Sequence, residues 1–409
     1  MLRVQPKSII ALIAVFTLCT CIDPYTPELS GYESLLVVDG LVTDANSSYS
    51  IKLSRTIQEQ NAEPEKVSDA TVYITDELGI SSFLNNKGDG TYITDSIEFK
   101  GIIGKKYTLH ILTSDGNEYE SESCYMESVP DIEKLYFTKD QEIISNATET
   151  TEGIRIYLDS KVSDGNKYYR WDFEETWKFR VPSPKKYNYI DSVNIYPVAK
   201  INEFCWKNRK SDELLIHSVF SGQSDHIEKK PIFFIATDKS DRMLIQYSIL
   251  VNQYSISKEE YDFWNNLKRI NESGDDIFAT QPFPVISNIH NINNIQEQVL
   301  GYFQVSAVKQ KRLNISFADI VGLNLPLYNY QCERLELAPE DIPMSKYAAP
   351  LTWSGLYRIY CISSDYYFVE PRYNQETNDL EKMVFARPEC ADCTIEGSPI
   401  QPDFWIDLN

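Results

Sequence analysis

The sequence has no apolar run long enough to cross a bilayer. The longest, Ile9 to Leu18, is ten residues, where a spanning helix takes about 20. Histidine is scarce, with four in 409 residues, His110, His217, His226 and His290. There is no Gly-x-Ser-x-Gly elbow, no His-Glu-x-x-His, no phosphate-binding glycine loop and no complete EF-hand loop, so no familiar hydrolase, zinc-protease, nucleotide or calcium signature is present. Positive charge is also short: 39 basic residues face 60 acidic ones, for a net charge of −21. A surface of that sign repels phosphate backbones and anionic headgroups, which argues against nucleic acid and direct headgroup binding and for solubility in a crowded layer.

What is present begins with an address. Arg3 and Lys7 precede the ten-residue apolar run, which suits the core of a signal peptide. Leu18-Cys19-Thr20-Cys21 follows, and it looks like the lipobox of bacterial lipoproteins, with Leu three residues before the acylated cysteine and Thr20 where a smaller residue is usual. We expect residues 1–20 to be a signal peptide, Cys21 to carry acyl chains, and residues 21–34, with Pro24 and Pro27, to be a lipidated tether. The alternative is a plainly secreted chain whose Cys21 joins a disulfide. Asp23 and Glu28 lie close behind the anchor, where acids can flag transfer to the outer face of the outer membrane; the periplasmic face stays open. Removing residues 1–20 deletes two basic residues and no acids, leaving 37 against 60, or −23.

Six further cysteines, Cys124, Cys205, Cys332, Cys361, Cys390 and Cys393, are an even number in an exported chain and are disulfide candidates. Cys390-Ala-Asp-Cys393 is the sharpest pattern. A redox site would want it opening a helix on a βαβ scaffold and a zinc site would want a second pair, so the expectation is a structural disulfide in a loop.

Period-two alternation dominates the rest and predicts strands. Leu35 to Val38, Ile51 with Leu53, Val72 with Ile74, and Tyr107, Leu109 and Ile111 fit a sandwich over 35–128, with turns at Asp89-Gly90 and Asp115-Gly116. Ala70 to Asp76 followed by Gly88 to Tyr92 looks like the small transthyretin-like type, a module that holds or binds more often than it catalyses. After Ser128-Val129-Pro130, strands are expected at Ile132–Phe137, Ile154–Leu158 and Tyr168–Phe173, the last two joined as a hairpin by Asp164-Gly165. Tyr302 to Ala307 is expected to complete a fibronectin-like domain over 129–409, with an insertion at about 180–300. Ser257 and Glu260 form a capping box for one helix, whose apolar face holds Tyr261, Phe263, Trp264, Leu267 and Ile270 before Gly274. From 317 onward the tail mixes strands, such as Tyr357 to Cys361, with Pro-rich loops. The expected class is therefore mainly β: an Ig-like or transthyretin-like β-sandwich, then a larger fibronectin-like β domain with a helical insertion.

Cys21-Ile-Asp-Pro-Tyr25, Leu36-Val-Val-Asp-Gly40, Val129-Pro-Asp-Ile132, Tyr168-Tyr-Arg-Trp171, Gln281-Pro282, Asn288-Ile289, Val299-Leu-Gly-Tyr-Phe303 and Cys390-Ala-Asp-Cys393 leading to Pro402-Asp-Phe-Trp405 occur in this order. The series resembles the Bacteroidota outer-membrane lipoproteins of domain-of-unknown-function family 4249. The resemblance implies an outer-membrane lipoprotein, often encoded beside TonB-dependent transporters, and brings no reaction with it.

The remaining candidates are few. Ser221, Asp225 and His226 have the residue types of a triad, but sequence neighbours are not one. Asp172, Glu174 and Glu175, or Asp275 and Asp276, could offer oxygen ligands to calcium, although solvated loops explain them as well. Trp171 with Trp177 and Tyr366 with Tyr367 could stack on sugars, or fill the core. Asp95-Ser96-Ile97 and Asp191-Ser192-Val193 resemble the Asp, Ser or Thr, aliphatic acceptor of O-glycosylation in Bacteroidota. No catalytic residue, metal or cofactor is expected. The leading expectation is a non-catalytic accessory that captures ligand for a TonB-dependent transporter; a glycan- or matrix-binding module and a hydrolase with an unfamiliar site are the alternatives.

Overall fold

A computed structural model describes residues 34–408 except 58–62, 144–149, 164–166, 220–224, 239, 274–284, 326–331 and 344–349. Cys21, Asp23, Glu28, Ser221, Asp275, Asp276 and Gln281-Pro282 lie outside the described residues. The chain is mainly β, as its alternation predicts.

The first module is built on β1 (Leu36–Val42), β2 (Ser50–Arg55), β3 (Thr71–Asp76), β4 (Lys106–Leu112) and β5 (Glu118–Ser121). In β4, Tyr107, Leu109 and Ile111 are buried while Lys106 and Leu112 face water, the pattern of a strand with one wet face. Asp115-Gly116 turns β4 into β5, and Gly116 takes the positive φ of 87° that a tight turn needs. Asp89 and Gly90, at φ 49° and 75°, make the corresponding turn between the short strands Asn85–Asn86 and Thr91–Ile93.

The second module has two facing sheets. One holds β6 (Ile132–Ile143) and β7 (Thr150–Lys161), the other is centred on β8 (Tyr168–Arg180). Later strands add to them: β9 (Phe204–Lys210) pairs with β8, β10 (His226–Ala236) with β7, and β11 (Gln246–Ser255) with β8. Ile154, Ile156 and Leu158 meet Trp171, Phe173, Ile249 and Val251 between the sheets. At about 1.5–3 kcal/mol for each large apolar side chain buried, this face is the module's main source of stability. Asp164-Gly165 lies outside the described residues, but β7 and β8 stand in different sheets and do not pair, so the expected hairpin of these two strands is absent. Nor is 180–300 a single insertion: β9, β10 and β11 are the sandwich's own strands, while 187–197 forms a separate two-stranded sheet and the described residues between 256 and 307 leave the sandwich.

That excursion carries α1 (Lys258–Ser273). The chain then returns to the first module as β12 (Ile289–Asn291), antiparallel to β5, and β13 (Leu300–Val305), parallel to β1, before β14 (Val308–Ser316) rejoins β11. The expectation that Tyr302 to Ala307 serve the second sandwich is thus corrected. Phe303 and Val305 point inward beside Leu36, Val38 and Ile51, so the first sandwich of 35–128 is closed by residues from 289–305. Gly301 makes the closure possible. Its φ is 87°, and a Cβ there would stand 1.9 Å from the Val38 carbonyl oxygen.

The C-terminal region packs a three-stranded sheet (Leu335–Leu337, Leu380–Ala386, Tyr367–Tyr373) under α2 (Trp353–Tyr357). The strand expected at Tyr357 to Cys361 is helical instead. Thr352 caps α2 by accepting the Gly355 amide at 3.1 Å, and the helix runs on as a π-type turn, Arg358–Ile362, with Tyr357, Tyr360 and Cys361 packed on Phe385 and its neighbours. Cys390 and Cys393 flank the end of α3 (Pro388–Ala391) and do not pair with each other. Cys390 bonds to Cys332 and Cys393 to Cys205, so the motif staples two segments to the second module's edge. Cys124 and Cys361 are free thiols, which removes them from the disulfide candidates.

Candidate functional site

Ser34, the first described residue, lies at one end of the first sandwich. Ser34 precedes β1, its carbonyl accepts from Arg55, and Arg55 pairs with Asp115 in the β4–β5 turn. Both β1 and β13 leave toward the opposite end, where Asp44 accepts the Val308 amide at 2.8 Å and β14 starts the passage into the second module. The second module therefore stands beyond the first along the strand direction, about 20 Å further on for a seven-residue strand.

On that far module the outer face of the β9–β8–β11–β14 sheet is polar. Alternation sends Trp171, Phe173 and Trp177 inward, so Asp172, Glu174 and Thr176 face out. Thr176 donates to Asn208 at 2.7 Å, Glu174 pairs with Lys210 at 3.3 Å, and Asn252 donates to Asp172 at 2.6 Å while accepting from Gln310 at 2.8 Å. Arg312 donates to Ser248 at 3.0 Å and lies 3.5 Å over the Phe404 ring. The C-terminal tail walls this floor. Trp405 packs edge-on against Trp206, Lys178 pairs with Asp407 at 3.0 Å, and Gln246 clamps the backbone at Ile406 and Leu408. The result is a cleft of about 470 Å³ lined by Glu174, Thr176, Asn208, Lys210, Pro402 and Phe404. Hydroxyl, amide, carboxylate and ammonium groups beside one aromatic face suit a polyhydroxylated ligand. Segments near 174, 209 and 403 had to meet to build it, and beforehand only the strand Tyr168–Phe173 and the carboxylates beside it stood out.

Behind the floor the charges are internal. Glu175 points inward, held by Arg242 and the Tyr247 hydroxyl at 2.9 Å each, and burial pushes its carboxyl up. Asp172, Glu174 and Glu175 therefore do not converge on a cation, and among the described residues no group of three or more His, Cys, Asp or Glu could hold a metal. Asp241 accepts from Trp177 and Lys207, and Lys207 reaches Glu396 at 2.6 Å, which ties the segment after Cys393 to β9.

A second cleft, about 230 Å³, lies where α1 meets the first module, lined by Glu122, Asp262, Phe263, Asn266, Asn288 and Tyr302. Ser257 caps α1 by accepting the Glu260 amide at 3.1 Å. The Glu260 carboxylate turns into the junction and accepts from Trp264 at 3.2 Å, so half of the expected capping box forms. Burial pushes this carboxyl up to about 7 against the pull of Arg170, which lies between the Tyr254 and Trp264 rings. Cys124 sits nearby with Asn288 Nδ2 at 3.2 Å from its sulfur, and burial, with Glu260 adding, pushes its thiol up to about 12.

The other expected residues are dispersed. His110 is half-buried: its ring stacks on Tyr73 at 4.6 Å and touches Thr75 at 2.9 Å. His226 contacts Asp225 at 2.7 Å and Glu133 at 3.8 Å on the surface, and Ser221 lies outside the described residues. Trp171 and Trp177 are core residues. Tyr366 packs edge-on to Tyr360.

A family model described as "Domain of unknown function (DUF4249)" matches residues 22–312. The chain belongs to that family. The matched span takes in the first module and, within the second, reaches into β14; the C-terminal region with both halves of the Cys390/Cys393 motif lies beyond it. No curated protein matches this DUF4249 member. A solved structure titled "Biofilm associated protein - BSP domain" aligns over 72% of this chain and 63% of its own length at 8% identity, with a TM-score of 0.12. A likeness at that level carries no structural argument.

Proposed function

We propose that this DUF4249 protein is a lipid-anchored outer-membrane lipoprotein, exposed at the cell surface, that works without catalysis as the ligand-capture partner of a TonB-dependent transporter. The observation that supports it most is the placement of the polar cleft. Ser34 lies at one end of the first sandwich and the cleft-bearing module stands beyond the other, so an anchor at Cys21 would hold the cleft away from the membrane. Affinity purification of the chain through a tag after Asn409 is expected to recover a β-barrel transporter; repeated recovery of the lipoprotein alone would refute the partnership. The cleft's chemistry also supports the glycan-binding reading. Binding on a glycan array that disappears with Thr176→Ala or Phe404→Ala would favour it, and silence across broad arrays would count against it.

A further inference from the structure

The sequence contains three Asp-Ser dipeptides, at 95–96, 159–160 and 191–192. Two are followed by a branched aliphatic residue, Ile97 and Val193, and these two are the most exposed large apolar side chains among the described residues, at 94% and 88%. Isolated exposed aliphatics are common. It is less ordinary that the two extremes sit in unrelated modules behind the same two residues and in the same local geometry.

In the first, Asp95 Oδ1 accepts the amide of Ile97 at 2.7 Å, and the Phe99 amide closes on the Asp95 carbonyl at 3.0 Å. The turn is stapled by Phe99, which packs edge-on to Tyr49 and Tyr107. In the second, Asp191 Oδ1 accepts the amides of Val193 and Asn194 at 2.9 and 2.8 Å, and the Ile190 amide closes on the Asn194 carbonyl at 3.1 Å. This turn joins the strands Tyr187–Tyr189 and Ile195–Pro197. Each aspartate is spent holding its own turn, an Asx arrangement. Each serine hydroxyl and aliphatic side chain is left at the apex, on a base anchored at both ends. The third dipeptide is the contrast. Asp159-Ser160 is followed by Lys161 inside β7, and Ser160 is fully buried, accepting from Gln253 Nε2 at 2.8 Å.

We propose that Ser96 and Ser192 are acceptors for O-linked glycosylation by a transferase that reads the Asp-Ser-aliphatic turn. The aspartate presets the backbone, the aliphatic side chain fills an apolar pocket of the transferase, and the hydroxyl is presented between them. The serine oxygen attacks the anomeric carbon of a sugar carried on a phosphate or pyrophosphate donor. The anomeric C–O bond to phosphate breaks, the phosphate leaves with the electron pair, and the serine proton passes to a base of the transferase. The choice of sugar over phosphate rests on the export reading, since ATP is a cytoplasmic donor.

The test expresses the full chain in a Bacteroidota host, its leader replaced by a cleavable export signal that needs no lipobox, and reads its intact mass. Two equal glycan increments above the polypeptide mass are expected. Ser96→Ala and Ser192→Ala should each remove one and the double variant both, while Ile97→Asp and Val193→Asp, which keep the serines, should each lose the increment of its own turn. A mass equal to the bare polypeptide, increments that survive the double serine variant, or increments of phosphate mass would overturn the proposal. Because neither acylation nor a transporter enters this readout, its failure and that of the anchored-partner reading can be told apart.

Discussion

Glu260 gives the junction between the modules a measurable pH dependence. Its carboxyl is fully buried beside Arg170, Tyr302, Cys124 and, further out, Asp172 and Glu122, and it titrates at about 7 in place of the ordinary 4.5. A raised carboxyl pKa means that the fold favours the neutral acid. The stability this group contributes is fully present below pH 4.5, is lost as the pH rises toward 7, and stays absent above. The difference corresponds to about 3 kcal/mol between the two protonation states. Glu260→Gln fixes the neutral form and keeps an oxygen for the Trp264 indole. Urea denaturation of both proteins at pH 5, 6 and 8, followed by tryptophan fluorescence, cancels the titration of the other carboxylates in the difference. The variant's advantage over the wild type should widen from about 1 kcal/mol at pH 5 to about 3 kcal/mol at pH 8. A gap that does not change with pH, or a variant less stable at pH 8, would refute the reasoning.

Four further outcomes follow from the same structure. Cys21→Ala should release the body from the membrane fraction and abolish acyl labelling; retention without lipid would remove the anchor. Gly301→Ala forces a methyl group to within 1.9 Å of the Val38 carbonyl oxygen at a positive φ, and should cost more than about 3 kcal/mol, read as lost soluble yield or a lowered midpoint. Paired Cys205→Ser and Cys393→Ser frees a link spanning 188 residues and should destabilise the oxidised protein by about 2–5 kcal/mol in denaturant titration. Cys124, its thiol pushed up to about 12, should resist iodoacetamide at pH 8 in the folded protein and react on denaturation, as mass spectrometry would record.

Local features were the legible part of the sequence. Tyr107, Leu109 and Ile111 announce a strand because one face of it is wet, and Asp115-Gly116 announces its turn. The strands of the second module are also visible singly, but their partners are not. Pairing depends on which sheet a strand joins, and Asp164-Gly165 reads as a hairpin whether the chain turns in the plane or crosses between layers. Tyr302 to Val305 alternates properly and still belongs to a module whose other strands lie far earlier, a choice made by packing against Leu36 and Val38. Tyr357 to Cys361 looks like a strand by its Tyr-x-x-Tyr content, yet a Thr352 cap and an apolar patch at spacings of three and four carry it into a helix. The cysteines show the same limit: their number suggested disulfides, while the cross-pairing of Cys390 and Cys393 needed the fold. The polar cleft was hidden for the same reason, since its floor comes from the second module and its wall from the C-terminal tail.

The parallel pairing of β1 with β13 also sets a timetable. Val37 and Leu300 are neighbours in the sheet but roughly 260 residues apart in the chain, so the first module to emerge is among the last to close. At about 5–20 residues per second of synthesis, the apolar flank of β1 stays without its final partner for tens of seconds. Whatever receives the emerging chain must shield that flank until β13 arrives, and a fragment ending at residue 128 should aggregate where the full chain does not.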